Sequence, residues 1–154
     1  MIRKAICEDI NRLIELLAQV DLVHHLGRPD IFKIGTKYSV EDLKKIIDDN
    51  KDIIFVYVDE SNSVLGYAFT QTKQIINDSI LTDIKTLYID DLCVDEKSRG
   101  LGIGKQLYNY VKDYAKKNGY YNVTLNVWEC NPKARNFYDS LGLKPQKTYL
   151  EELL

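Results

Sequence analysis

Apolar residues recur along this chain with two different periods, and the switches between them divide it into elements. Residues 2–6 form a short β-rich run. Ile10, Leu13, Ile14, Leu17 and Val20 then recur at helical spacing behind Glu8 and Asp9. Residues 21–37 are less regular. A second helix is predicted over residues 39–49, where Ser39 can cap, Asp42 follows three residues on, and Val40, Leu43, Ile46 and Ile47 share a face. Two β-rich runs, 53–58 and 64–70, flank the polar turn 59–63 and predict an antiparallel hairpin. A third β-rich run covers residues 86–94, after the variable segment 75–83.

The C-terminal half is the most regular. Ile103, Leu107, Tyr110, Val111, Tyr114 and Ala115 mark a helix over 102–118, stopped by Lys116, Lys117, Asn118 and Gly119. Val123, Leu125 and Val127 alternate with Thr124, Asn126 and Trp128 as strand residues do. Asn131 and Pro132 open a last helix carrying Ala134, Phe137, Tyr138 and Leu141 and ending at Gly142. This strand–helix–strand–helix run predicts an α/β fold. Its mixed sheet is mostly antiparallel, with parallel pairing in the C-terminal half and helices at its flanks.

Composition narrows the setting. The chain has 154 residues, 45% hydrophobic and 29% charged, with no repeat, low-complexity tract or linker, so one domain over residues 1–154 is expected. The 21 basic and 23 acidic residues give a net charge of −2 with no basic stripe, which argues against nucleic acid as a partner. Cys7, Cys93 and Cys130 lack paired spacing, so buried free thiols are expected rather than disulfides or a metal site. No apolar stretch approaches the roughly 18 residues of a membrane helix, and residues 1–5 have no signal-peptide pattern. A cytoplasmic protein without a membrane partner is expected.

The most informative string is Arg99, Gly100, Leu101, Gly102, Ile103, Gly104 and Lys105, lying between a strand and the strongest helix. Glycines remove the Cβ atoms that block approach to backbone N–H groups, and a helix start supplies unpaired donors and a positive dipole end. A diphosphate fits such a loop. The dinucleotide fingerprint fails because Lys105 stands where its third glycine belongs and no acid follows about 20 residues later. The NTPase loop fails because Arg99 and Gln106 occupy its first Gly and its Ser/Thr.

The string does resemble the [Arg/Gln]-x-x-Gly-x-[Gly/Ala] loop of GNAT acetyltransferases, filled by Arg99, Gly102 and Gly104, with Val94 as the apolar residue five positions upstream. A second signature of that family, N-x-x-A-x-x-F-Y-x-x-x-G, is matched by Asn131, Ala134, Phe137, Tyr138 and Gly142. The resemblance covers residues 88–143 and reaches the first half by element order. It implies the GNAT fold and acetyl-CoA as cosubstrate without a metal. It also implies N-acetyl transfer to an amine, and a homodimer by family habit. Carried over by position, Asn131 helps hold the pantetheine arm while also capping its helix, and Tyr138 is the general acid, with a core aromatic as the alternative. The resemblance further implies a bulged strand at Leu92, Cys93 and Val94, where the Leu92 N–H faces the thioester carbonyl.

The chemistry requires a neutral amine, donors for the oxyanion and a proton for the leaving thiolate. Asp90 and Asp91 are the candidate bases. Strand alternation lets only one face the cleft unless a bulge intervenes. The pair resembles the acid-acid-hydrophobic pattern of polyamine and aminoalkylphosphonate acetyltransferases, where the first acid, here Asp90, takes the deprotonating role through water. His24, His25, Arg28, Asp30 and Phe32 lie in the irregular segment that lines the acceptor cleft in that family. His24, Arg28, Asp30 and Phe32 are therefore the substrate-binding candidates, whereas Trp128 and Cys130 read as core. A small-molecule amine is expected as acceptor. Protein acetylation and a non-catalytic acyl-CoA sensor are the rival readings, and Tyr138 with the two aspartates favours an enzyme over a sensor.

Overall fold

A computed structural model describes residues 1–154. Five strands form one sheet in the order β1-β2-β3-β4-β5: β1 Ile2–Lys4, β2 Ile53–Val58, β3 Val64–Lys73, β4 Thr86–Val94 and β5 Asn122–Leu125. Neighbours among β1 to β4 pair antiparallel and β4 pairs parallel with β5, so the sheet is mixed as the element order predicts. Four helices flank it: α1 Ile10–Gly27, α2 Val40–Asp49, α3 Ile103–Lys117 and α4 Pro132–Ser140. None is long and apolar enough to cross a membrane.

Side-chain alternation sorts the core into two layers. Ile54, Val56, Val58, Tyr67 and Phe69 pack with Leu13, Leu16, Leu17 and Leu43 of α1 and α2. Phe55, Ala68, Leu87 and Ile89 instead pack with Tyr108, Val111 and Ala115 of α3. Burying these apolar faces drives the assembly, each large side chain contributing about 1.5–3 kcal/mol. The hairpin of β2 and β3 and the capping box of α2 form as expected, with Ser39 Oγ accepting from the Asp42 N–H at 3.1 Å and Asp42 Oδ2 accepting from the Ser39 N–H at 3.0 Å.

Two elements depart from the sequence reading. Helix α1 continues through the segment expected to be irregular and ends at Gly27, which places His24 and His25 in its last turn. Its continuation is contacted from the segment that follows, with His24 stacking on Phe32 and Asp21 Oδ2 accepting from the Lys37 N–H, contacts with no local signature. Strand β5 stops at Leu125 rather than Trp128, and its ladder with β4 ends at the pair Ile89 and Leu125. Beyond that pair the two strands part. Of the cysteines, Cys93 is buried, Cys130 is half-buried and Cys7 is exposed, so the thiols are free but only one is fully inside.

Candidate active site

The site is organised by one extra residue in β4. Phe69 pairs with Asp91 and Thr70 pairs with Ile89, so Asp90 is left over as a bulge. A bulge reverses the facing of every side chain beyond it. Leu87 and Ile89 therefore belong to the α3 layer, whereas Cys93, at an even spacing from them, belongs to the α1 layer. Around the reversal both aspartates meet partners on the α1 and α2 side. Asp90 Oδ2 accepts from the Tyr38 hydroxyl at 2.5 Å and lies 2.8 Å from Lys37 Nζ, while Asp91 Oδ2 accepts from the Tyr67 hydroxyl at 2.7 Å. Alternation would have turned one of them away; the bulge lets both meet partners on the same side of the sheet. It lies at Asp90, two residues ahead of the expected Leu92, Cys93 and Val94.

The two carboxylates differ in their surroundings. Asp90 is held by a cation and a phenol on the same oxygen. Asp91 has a single neutral donor, and burial raises its pKa to about 6 against the lowering effects of Tyr67 and Lys37. Burial also pushes the Tyr138 hydroxyl up, and the nearby Asp91 charge adds to the rise, so the phenol keeps its proton at neutral pH. The Cys93 thiol is pushed up to about 12 by burial and by Asp91, and its Sγ lies 3.6 Å from the Leu16 carbonyl. It is no thiolate nucleophile at neutral pH.

Next to this cluster the chain leaves β4 through a short turn and enters α3. Gly102 caps α3 in the left-handed region with φ 75°, and the first helical bond runs from the Gln106 N–H to the Gly102 carbonyl at 3.1 Å. None of the backbone N–H groups of residues 99–105 donates to a backbone carbonyl. They form a row of free donors at the positive end of a helix whose first turn carries no acid. Gly104 serves packing: a Cβ there would come within 3.2 Å of the Phe137 ring and 3.6 Å of Val94, which locks α4 against the loop. The turn is fixed from α1, where Arg12 lies 2.9 Å from Asp95 and Gln19 bridges Asp95 Oδ1 at 2.9 Å and the Glu96 N–H at 3.1 Å. The Gln19 hydrogen bond, then Arg12, hold Asp95 below the usual carboxylate range.

This geometry agrees with a family model described as the acetyltransferase (GNAT) family, which matches residues 20–143. The chain belongs to the GNAT acetyltransferases. The family makes it an acyltransferase and brings acetyl-CoA as cosubstrate. This GNAT chain is 32% identical to human N-acetyltransferase 8B over 103 residues, covering 62% of the chain and 45% of the human protein, so the match spans under half of that relative. It is 29% identical over 107 residues to the uncharacterized N-acetyltransferase YhfO of Bacillus subtilis, covering 69% of the chain and 68% of YhfO. Among solved structures, a tetramutant of the BH1408 protein from Bacillus halodurans superposes with a TM-score of 0.95 at 32% identity, covering 100% of this chain and 99% of that one.

The other candidates of this GNAT site fall into place unevenly. Asn131 caps α4, its side chain accepting from the Ala134 N–H at 3.2 Å, as the sequence suggests. Arg99 Nε reaches the Val94 carbonyl at 3.4 Å, and Leu101 lies exposed beside it. His24 stacks on Phe32 at 5.0 Å, and Trp128 meets the Phe32 edge at 4.8 Å. Burial lowers the His24 pKa, partly opposed by Asp21. Trp128, expected in the core, is 41% exposed and completes this aromatic group instead. Arg28 and Asp30 pair with each other at 2.8 Å, and Arg28 also pairs with Glu151 of the C-terminal segment, so their charges face one another. Sequence reading missed Tyr67, Tyr38, Lys37 and Asp21. Only Tyr67 had a signal: on the predicted hairpin it faces the same layer as the helices, and its register partner is Cys93. Tyr38 and Lys37 arrive from the segment between α1 and α2 and leave no trace in spacing.

Proposed function

We propose that the protein moves an acetyl group from acetyl-CoA to a primary amine by direct attack, with Asp91 as general base and Tyr138 as general acid. The bulge at Asp90 carries this reading. It turns Asp91, whose pKa burial raises to about 6, toward the α1 side near where β4 and β5 part, within electrostatic reach of the protonated Tyr138 hydroxyl. Bound acetyl-CoA supplies the activated acetyl group. The free N–H groups of residues 99–105 would hold its pyrophosphate, Asn131 its pantetheine arm, and the Leu92 N–H on the open edge of β4 its thioester oxygen.

Asp91 is preferred as base because a base works best with a pKa near the operating pH, whereas Asp90 Oδ2 is already engaged by the Lys37 ammonium and the Tyr38 hydroxyl. Asp90 instead binds charge, and with Asp21 and Asp91 it makes the cleft favourable to a cationic acceptor. Tyr138 protonates the leaving thiolate. The high pKa of Cys93 argues for direct transfer over an acetyl-enzyme. His24, Phe32 and Trp128 would bound the acceptor side.

The test is coenzyme A release from acetyl-CoA by the purified protein against a library of primary amines. Turnover with a subset of small amines supports the reading. Acetyl-CoA binding without turnover on any amine or peptide sinks it in favour of a sensor. With the best acceptor, Tyr138→Phe is expected to leave acetyl-CoA binding nearly intact and to lower kcat by ~10²-fold, the lower range for a positioned acid. Unchanged turnover would return Tyr138 to a packing role.

A further inference from the structure

We propose that Lys37 is itself an acetyl acceptor, modified in cis by the active site it lines. The inference rests on the reading above and concerns the same cleft. Lys37 Nζ lies 2.8 Å from Asp90 Oδ2 and 3.4 Å from the Asp90 carbonyl oxygen, at the bulge residue where the strands part. Its backbone is fixed there as well: the Lys37 N–H donates to Asp21 Oδ2 at 2.7 Å. The next residue, Tyr38, stacks on Phe69 at 5.1 Å with an interplanar angle of 4° and donates its hydroxyl to Asp90. A primary ammonium is therefore seated on the carboxylate that the reaction reserves for a cationic acceptor. It also lies close enough to Asp91 to act on that carboxyl's titration.

Two features set Lys37 apart. No other lysine of the chain makes an ion pair. Its side chain is also 43% exposed, so the amine is held without being sealed away. The step balances as an ordinary transfer. The Lys37 ammonium gives one proton to Asp91, and the Nζ lone pair forms a bond to the thioester carbonyl carbon. The C–S bond then breaks, and the electron pair leaves with sulfur as thiolate. Tyr138 protonates that thiolate and is reprotonated by the second proton lost from nitrogen, leaving an amide at Lys37, free coenzyme A and one proton passed from Asp91 to solvent. Because its ion pair with Asp90 must be broken before the nitrogen can attack, Lys37 is a slower acceptor than a freely diffusing amine. Modification also removes the cation from Asp90.

Purified full-length protein incubated with acetyl-CoA and no added amine should gain the mass of one acetyl group, and peptide mapping should place it on Lys37. The fraction marked per unit time should not change with protein concentration, as a reaction in cis requires. It should fall ~10²-fold in Tyr138→Phe and when a good amine acceptor saturates the cleft. Lys37→Arg, which keeps the cation but cannot be acetylated under these conditions, should remove the mark, whereas Lys33→Arg should retain it. Acetylation spread over several surface lysines, a mark insensitive to Tyr138→Phe, or marking that scales with protein concentration would overturn the proposal. So would an unmarked Lys37 in protein that turns over added amines, an outcome that leaves the acetyltransferase reading standing. Absence of acetyl-CoA binding, measured in parallel by thermal shift, would sink both together.

Discussion

Asp91→Asn is expected to lower kcat/KM for the amine roughly 10²–10⁴-fold at neutral pH, the range for loss of a positioned base, while making the protein more stable. The two effects share one cause. Burial raises the Asp91 pKa from the 3.8 of an ordinary carboxyl to about 6, so the folded protein binds this proton more tightly than the unfolded chain. The group's contribution to stability is therefore fully present below about pH 4 and is lost as pH rises through about 6. At pH 7 the ionised carboxylate destabilises the fold by on the order of 3 kcal/mol, which asparagine relieves. Asparagine also keeps an oxygen to accept from Tyr67, so no buried hydroxyl is orphaned. A gain of about 6–12 °C in melting temperature at pH 7 is expected for a chain of this size, and little gain at pH 4.

The wild-type rate should fall below about pH 6, following ionisation of Asp91, and that limb should vanish in Asp91→Asn. Asp90→Asn makes the contrast. It keeps an acceptor for Tyr38 but loosens Lys37, so its effect should lie mainly in the KM of a cationic acceptor. A pH–rate profile with acetyl-CoA saturating, run on both variants beside thermal melts, separates the roles. Loss of the acid limb in Asp90→Asn alone would move the base to Asp90, the assignment the sequence first suggested. A destabilised Asp91→Asn at pH 7 would contradict the burial argument itself.

That assignment shows where sequence reading ran out. Periodicity found the hairpin, β4 with both its ends, the α2 cap and the mixed sheet, because each depends on residues close in the chain. The loop of residues 99–105 was legible for the same reason: its glycines, the strand before it and the helix after it are contiguous. The facing of Asp90 and Asp91 was not, since one unpaired residue in a ladder changes parity without changing composition. The end of β5 was equally hidden. Val127 continues the alternation, but β4 bulges at Asp90 just past the last ladder pair and the two strands separate, with Asn126 Nδ2 donating to the Tyr88 hydroxyl at 3.1 Å. The partners that distinguish the two carboxylates come from 24 and 52 residues away, Tyr67 for Asp91 and Tyr38 for Asp90. Such contacts are products of tertiary packing and carry no local pattern.

Gly102→Val should abolish acetyl-CoA binding, read as loss of the ligand-induced rise in melting temperature. Two effects act at this position and can be told apart. The first is conformational: at φ 75° an L residue costs about 1–2 kcal/mol, and a β-branched one is disfavoured further. The second is steric toward the ligand. A Cβ on Gly102 would meet nothing nearer than Gln106 Nε2 at 4.0 Å, so the added side chain would project into the open space before the free N–H groups, where the pyrophosphate would lie. Gly119→Val is the control, because Gly119 has φ 71°, no neighbour within 4 Å and a place at the far end of α3. Both variants should lose similar stability without ligand. With acetyl-CoA at about 100 times its dissociation constant, wild type and Gly119→Val should gain about 2.7 kcal/mol, and Gly102→Val nothing. ATP and NADH should stabilise none of the three, since the loop lacks the lysine–hydroxyl pair of one nucleotide site and the later acid of the other. Equal loss of the acetyl-CoA response in both valine variants would attribute it to strain in α3, and a retained response in Gly102→Val would move the pyrophosphate away from residues 99–105.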